Sequence, residues 1–245
     1  MKIDIPSCEM AESGYAFIKE LGSGLFGTCY LCINPFGKAV VLKRYEPASY
    51  RMNQGKNHYE AGILSTLSHP SIPELFGVLD TSCGKYLILE YILGITLKTA
   101  LFEKHKVFSD LDISRIGMQL LSVITYLHRR NIVHRDISID NVIDDGIQIT
   151  LVDFGLSRAI RYEEMAAQED YYCFGEVLLF MLYSRHSTPP ALGDDVMPWY
   201  EELNLDESQK LFISRLLDIE MRFDSIFKIT DEFIEFLKKG LPIHL

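Results

Sequence analysis

The stretch "HRDISIDNVIDDGIQITLVDFG", residues 134–155, sets Asp136, Asn141 and Asp153 around a segment that reads as a hairpin. Mg²⁺ prefers hard oxygen ligands, and three such side chains about one turn suit it together with the phosphate chain of a nucleotide. Upstream, Gly22-Ser23-Gly24-Leu25-Phe26-Gly27 is G-x-G-x-x-G. Beyond Gly27 the chain continues as a strand instead of opening a helix, which argues against a dinucleotide-binding turn of the Rossmann type. A glycine turn between strands still lets backbone N–H groups approach phosphates, because no side chain stands between them. A bare hairpin turn explains the same residues equally well.

Two charged residues fall on apolar faces. Lys43 shares a strand face with Ala39 and Val41, and Glu60 lies with Ile63, Leu64 and Leu67 at i, i+3, i+4 and i+7 of a predicted helix. A buried ammonium needs a carboxylate and a buried carboxylate needs a cation, so pairing Lys43 with Glu60 solves both problems. The competing reading sends both to solvent along their stems.

The elements that must position these groups are set by periodicity and turn chemistry. "YAFIKELGSGLFGTCYLCINPFGKAVVLKRY" alternates as strand, glycine turn, strand, "NPFG" turn, strand. The helix carrying Glu60 is predicted to run to His69-Pro70. "KYLILEYI" is a further strand, and "GITLKTAL" leaves it toward a helix. Ile113, Ile116, Leu120, Leu121, Ile124 and Leu127 form one helical stripe ending at His128. "DYYCFGEVLLFMLY" (170–183) is apolar nearly all round and predicts a buried helix. The final helix is predicted with Thr230 as N-cap and Gly240 as stop. The order predicts an α+β architecture: a small β-rich part, residues 1–90, and a larger helical part, residues 91–245, together one domain.

With 48% hydrophobic residues the chain has ample material for a core, and a formal net charge of -10 counts against nucleic acid and anionic membrane as partners. The start lacks the apolar core of a secretory signal, and "VLLFML" is too short to span a bilayer, so a cytoplasmic protein is expected. Five cysteines without a regular framework agree with a reducing compartment.

Glycine loop, "VVLK", inward helix glutamate, "HRDISIDN" and "DFG" occur in the order and spacing of the eukaryotic-like protein kinases, which the chain resembles from about Leu21 to Phe223, most closely the compact bacterial-type serine/threonine kinases. The resemblance implies a bilobal fold with ATP and Mg²⁺, or Mn²⁺ in its place, in the cleft. It implies that Asp136 orients the acceptor hydroxyl and receives its proton, and that Asn141 and Asp153 are the metal ligands. Lys43, held by Glu60, would grip the α- and β-phosphates under Gly22, Ser23, Gly24 and Gly27. Glu90-Tyr91-Ile92 matches the hinge that holds adenine, Leu89 the gatekeeper, and Leu21, Cys29, Val41 and Ile143 the apolar lining. Cys29 and Val41 depart from the usual valine and alanine, one smaller and one larger, so volume is conserved.

The pattern breaks after Gly155. If Asp170 is the aspartate that opens the family's buried helix, only residues 156–169, fourteen in all, remain for the activation segment, and no Ala-Pro-Glu element is present. Arg222, which pairs with that glutamate in the family, is left with an unknown partner. Arg135 has no long phosphorylatable loop to bind, so activity is expected not to require a phosphate on Ser157 or Tyr162. The shelf for a peptide acceptor is short, so the protein substrate is expected to be unusual or presented by an activating partner. Ser138 replaces a lysine that contacts the γ-phosphate in many relatives, and its hydroxyl brings no charge. The alternatives are a kinase-like phosphotransferase of a small molecule and an ATP-binding pseudokinase scaffold. Cys29 and Cys32 point to opposite strand faces and are not read as a metal or redox pair. His134 is read as structural, His128 as a helix end, and Tyr171 and Tyr172 as packing residues.

Overall fold

The computed structural model describes residues 12–24, 27–45, 58–81, 84–160, 164–186 and 198–240. The chain divides into two compact units, Met1–Leu93 with Phe154–Ser157, and Gly94–Asp153 with Arg158–Leu245. The first is built on a sheet and the second on helices, the α+β division that the order of elements predicts.

The first unit holds a five-stranded antiparallel sheet in the order β1-β2-β3-β5-β4, from β1 (Ala16–Gly24), β2 (Gly27–Ile33), β3 (Ala39–Tyr45), β4 (Leu75–Thr81) and β5 (Gly84–Glu90). Pairing of β1 with β2 continues to Gly24 opposite Gly27. The β2–β3 turn is locked by Asn34, whose Oδ1 accepts from the backbone N–H groups of Phe36 and Lys38 at 3.0 and 2.9 Å. Register sets Cys29 opposite Lys43 opposite Leu87, and Leu31 opposite Val41 opposite Leu89, so these six share one face. The reverse face carries Tyr30, Cys32, Val40, Leu42 and Tyr86, packed as one buried cluster. Cys29 and Cys32 therefore part to opposite faces as predicted, and burial pushes the Cys32 thiol up to about 11.

The last glycine of the motif is required by the sheet itself. Gly27 has φ 150°, and a β-carbon there would lie 1.9 Å from the Arg44 carbonyl oxygen on the neighbouring strand. Gly27→Ala is expected to destabilise the protein by about 1–3 kcal/mol, read as a lower midpoint in denaturant at unchanged slope. An unmoved midpoint would show that β2 and β3 can part there without cost. At Gly22 and Gly24, by contrast, a β-carbon would meet nothing within 4 Å among the described residues.

Helix α1 (His58–Leu64) is shorter than predicted. Ser65 and Thr66 turn their hydroxyls back onto the carbonyls of Gly62 and Ile63, while the N–H groups of Thr66 and Leu67 close onto Ile63 and Leu64. Short hydroxyl side chains that bond the local backbone compete with helix propagation, so the helix stops well before Pro70.

In the second unit a small sheet joins β6 (Ile95–Thr96), β8 (Val142–Asp144) and β9 (Ile149–Leu151), and β7 (Ile132–Val133) pairs with β10 (Arg158–Ala159). A π-helical turn at Thr99–Glu103 comes after β6. Around these lie α2 (Asp110–His128), α3 (Glu164–Tyr183), α4 (Trp199–Glu202), α5 (Glu207–Leu216) and α6 (Ile226–Lys238). A reciprocal capping box of Ser109 and Asp112 opens α2, which buries the predicted stripe. Gly117 on α2 lets the Phe233 ring of α6 approach, since a β-carbon would stand 2.4 Å from it. Phe233 in turn packs with Phe174, Phe212 and Phe236.

Thr230 does not cap α6. Ser225 does, accepting from the Lys228 N–H, and Thr230 lies one turn inside with its hydroxyl on the Ile226 carbonyl. The acids at 231 and 232 suggest a later start, because the apolar Ile226 and Phe227 disguise the true first turn. Gly240 does end it, at φ 77°. Among the described residues no helix is long and apolar enough to cross a membrane.

Candidate active site

In the first unit, Lys43 and Glu60 are each 3% exposed, and Lys43 Nζ donates to both carboxylate oxygens, at 2.7 and 2.9 Å. The strand supplies the ammonium and α1 the carboxylate, each on the buried side of its element. Two groups that would separately be costly inside thus neutralise each other. Phe154, almost fully buried, opens a 3-10 turn (Phe154–Leu156) that packs on α1.

The proposed adenine lining divides between the units. Cys29, Val41 and Leu89 lie on the Lys43 face, Leu21 sits exposed at the bulge between Glu20 and Gly22, and Ile143 belongs to β8 of the second unit. Glu90 ends β5 with its N–H on the Glu74 carbonyl and its carboxylate accepting from the Glu74 N–H, and Ile92 is half-buried just beyond. Ser23 lies exposed on β1, its hydroxyl 3.0 Å from that of Thr28.

In the second unit the β8–β9 hairpin folds Asn141 and Asp153 back toward each other across the eleven residues between them. The Asn141 carbonyl accepts from the Val152 N–H at 2.8 Å, and its side-chain amide donates to the Asp136 carbonyl and to Asp136 Oδ2, both at 2.9 Å. Asp153 stands at φ 63°, a strained setting for a residue other than glycine. Partial burial, and then the Asp153 carboxylate, push the pKa of Asp136 up. Two carboxylates that repel in this way are what a divalent cation relieves. The donors are hard oxygens, as Mg²⁺ requires. Among the described residues no three His, Cys, Asp or Glu cluster to hold a metal alone, but Mg²⁺ that arrives on phosphates needs only one or two protein oxygens. The arrangement fits such an ion.

A buried carboxylate braces this loop. Asp170 of α3 is fully buried; its Oδ2 accepts from the His134 N–H at 3.0 Å and its Oδ1 from the Arg135 N–H at 2.7 Å, and His128 Nε2 stands 2.8 Å from Oδ2. Arg135 takes φ 69° to present that N–H. His134 is completely buried, which pushes its pKa down and keeps the ring neutral, in accord with a structural part. His128 does end α2, but it is also a partner of Asp170, a role that periodicity alone does not reveal. Periodicity does not single out Glu169 either; its carboxylate accepts from Arg135 Nε at 2.5 Å. Two adjacent acids at the head of an apolar helix are the signal that would have found it.

Arg222 has a local partner, Asp218, at 2.8 Å. Tyr171 is buried, with its pKa pushed up to about 12 chiefly by burial, whereas Tyr172 is exposed, so only Tyr171 is a packing residue.

Comparison with known proteins gives the family. The model of the protein kinase domain matches residues 15–193. The chain is 31% identical to the probable serine/threonine-protein kinase YbdM of Bacillus subtilis (strain 168), over 89% of this chain and 87% of that protein. It is 34% identical to serine/threonine-protein kinase PknA of Nostoc sp., over 61% of this chain and 28% of that one. A leaf rust 10 disease-resistance locus receptor-like protein kinase-like 1.4 of Arabidopsis thaliana is 29% identical over 89% of this chain and 37% of its own length. The chain belongs to the protein kinase family. Within it, the chain stands among the serine/threonine protein kinases.

Proposed function

We propose that the protein transfers the γ-phosphate of ATP to a serine or threonine hydroxyl of a protein substrate, itself included. The observation that carries this reading is the Asp136–Asn141–Asp153 constellation in a member of the kinase family. Asp136, whose raised pKa makes it a better proton acceptor than an ordinary carboxylate, orients the hydroxyl and takes its proton. Lys43, fixed by Glu60, binds the α- and β-phosphates, and the open space above Gly22 and Gly24 leaves their backbone accessible to the chain of phosphates. Asn141 and Asp153 hold Mg²⁺, which when bound neutralises charge on the phosphate oxygens. Adenine takes the apolar face of Cys29, Val41 and Leu89, with Leu21 and the backbone of Glu90 and Ile92. ATP as a co-substrate fits a cytoplasmic setting.

ATP with Mg²⁺ is expected to raise the melting temperature by several degrees at about one hundred times Kd, equivalent to about 2.7 kcal/mol. No shift with ATP, Mg²⁺ or Mn²⁺ would overturn the nucleotide reading. The test of function is transfer from γ-labelled ATP to a generic protein acceptor, with label tracked in protein, in small molecules and as free phosphate. Label in protein supports the proposal. Label in a small-molecule fraction would move the chain to the phosphotransferases, and binding without turnover would make it a scaffold.

A further inference from the structure

Residues 164–169, immediately before Asp170, are helical. Among the described residues β10 ends at Ala159, the Ile160 N–H bonds the Asn131 carbonyl, and α3 begins at Glu164, six residues before Asp170. Two side chains of that added helix reach other parts of the second unit. Gln168 donates to the Phe223 carbonyl at 2.7 Å, and Glu169 accepts from Arg135.

Arg135 is thereby gripped twice by consecutive residues of one helix, through its backbone N–H by Asp170 and through its guanidinium by Glu169. Its left-handed backbone persists only where its surroundings over-determine it. The residue it precedes is Asp136. A displaced Arg135 would carry the Asp136 backbone with it, and small misplacements of a reacting group are costly to rate.

The geometry points to Glu169 as a positioning residue: a carboxylate built into the helix that supplies the negative partner of Arg135, so that Asp136 is held for catalysis with no phosphate on residues 156–163. This rests on the kinase reading above. Ser157 is completely buried, consistent with a segment that is not a phosphorylation switch. The pair is itself open to water, 38% and 48% exposed, so its contribution lies in orientation more than in stability.

The test compares phosphatase-treated wild type with Glu169→Gln and Glu169→Lys, with intact mass confirming the phosphate-free state at the start of each assay. Initial rates over varied ATP, with an exogenous protein acceptor, give kcat and KM separately. The treated wild type is expected to keep its rate. Glu169→Gln is expected to lose about five- to tenfold in kcat, with KM for ATP within about twofold and melting temperature within about 2 °C, and Glu169→Lys to lose more. Equal rates for wild type and Glu169→Gln would overturn the inference and leave the kinase reading standing. So would loss of the wild-type rate on phosphatase treatment, or a loss in Glu169→Gln matched by a fall in melting temperature and a rise in KM. No transfer by any of the three, with ATP bound, would overturn the kinase reading and the inference with it.

Discussion

Asp136→Asn is expected to lower the saturated rate of phosphoryl transfer by about 10²- to 10⁴-fold, the usual worth of a positioned general base, while the ATP-induced rise in melting temperature persists. The substitution is nearly isosteric. The asparagine oxygen still accepts from the Asn141 amide, and the backbone carbonyl that takes the second hydrogen bond is untouched. What disappears is a carboxylate able to receive a proton. Because that carboxylate is disfavoured by burial and by Asp153, its removal should not weaken the fold, and the variant is expected to melt at or slightly above the wild type. A residual rate within tenfold of wild type, measured as label in protein, would take Asp136 out of the chemistry.

Lys43→Met is expected to destabilise the protein by about 3–5 kcal/mol, because it removes the cation paired with the buried Glu60 carboxylate. Glu60→Leu should cost a similar amount by removing the carboxylate paired with the buried ammonium. The double variant replaces both charges with apolar groups and is expected to recover most of the loss, a coupling of several kcal/mol in a double-mutant cycle by denaturant unfolding. It should remain without transferase activity, since the ammonium proposed to bind the α- and β-phosphates is gone. The stability and activity of these variants would thus separate, with the double variant the more stable and no more active than either single one. Additive losses in the cycle would mean that the two charges are compensated independently.

The pair that carries this prediction is legible in the sequence for a physical reason: each charge lies on an apolar face, and burial allows few solutions other than a partner. The α2 stripe is legible because nineteen residues leave little doubt about period. Local hydrogen bonding is less readable. Where α1 stops depends on two hydroxyls choosing the carbonyl behind them, and which residue caps α6 depends on how far an apolar first turn extends. The Arg135–Glu169 pair and the role of His128 are not legible, since they join positions 34 and 42 residues apart whose meeting is set by the tertiary path of α3. The missing Ala-Pro-Glu element is visible in the sequence as an absence, but that the helix begins at Glu164, ahead of Asp170, is not.

The unequal glycines of the β1–β2 hairpin bear on descent. Gly27 answers to folding, whereas the described residues put no such demand on Gly22 and Gly24, which on the proposed reading answer to the nucleotide. A lineage that kept this chain as a scaffold and abandoned catalysis would be free to replace the first two glycines and would still retain the third. The pattern of drift across the three positions would then date the loss of phosphoryl transfer independently of Asp136 itself.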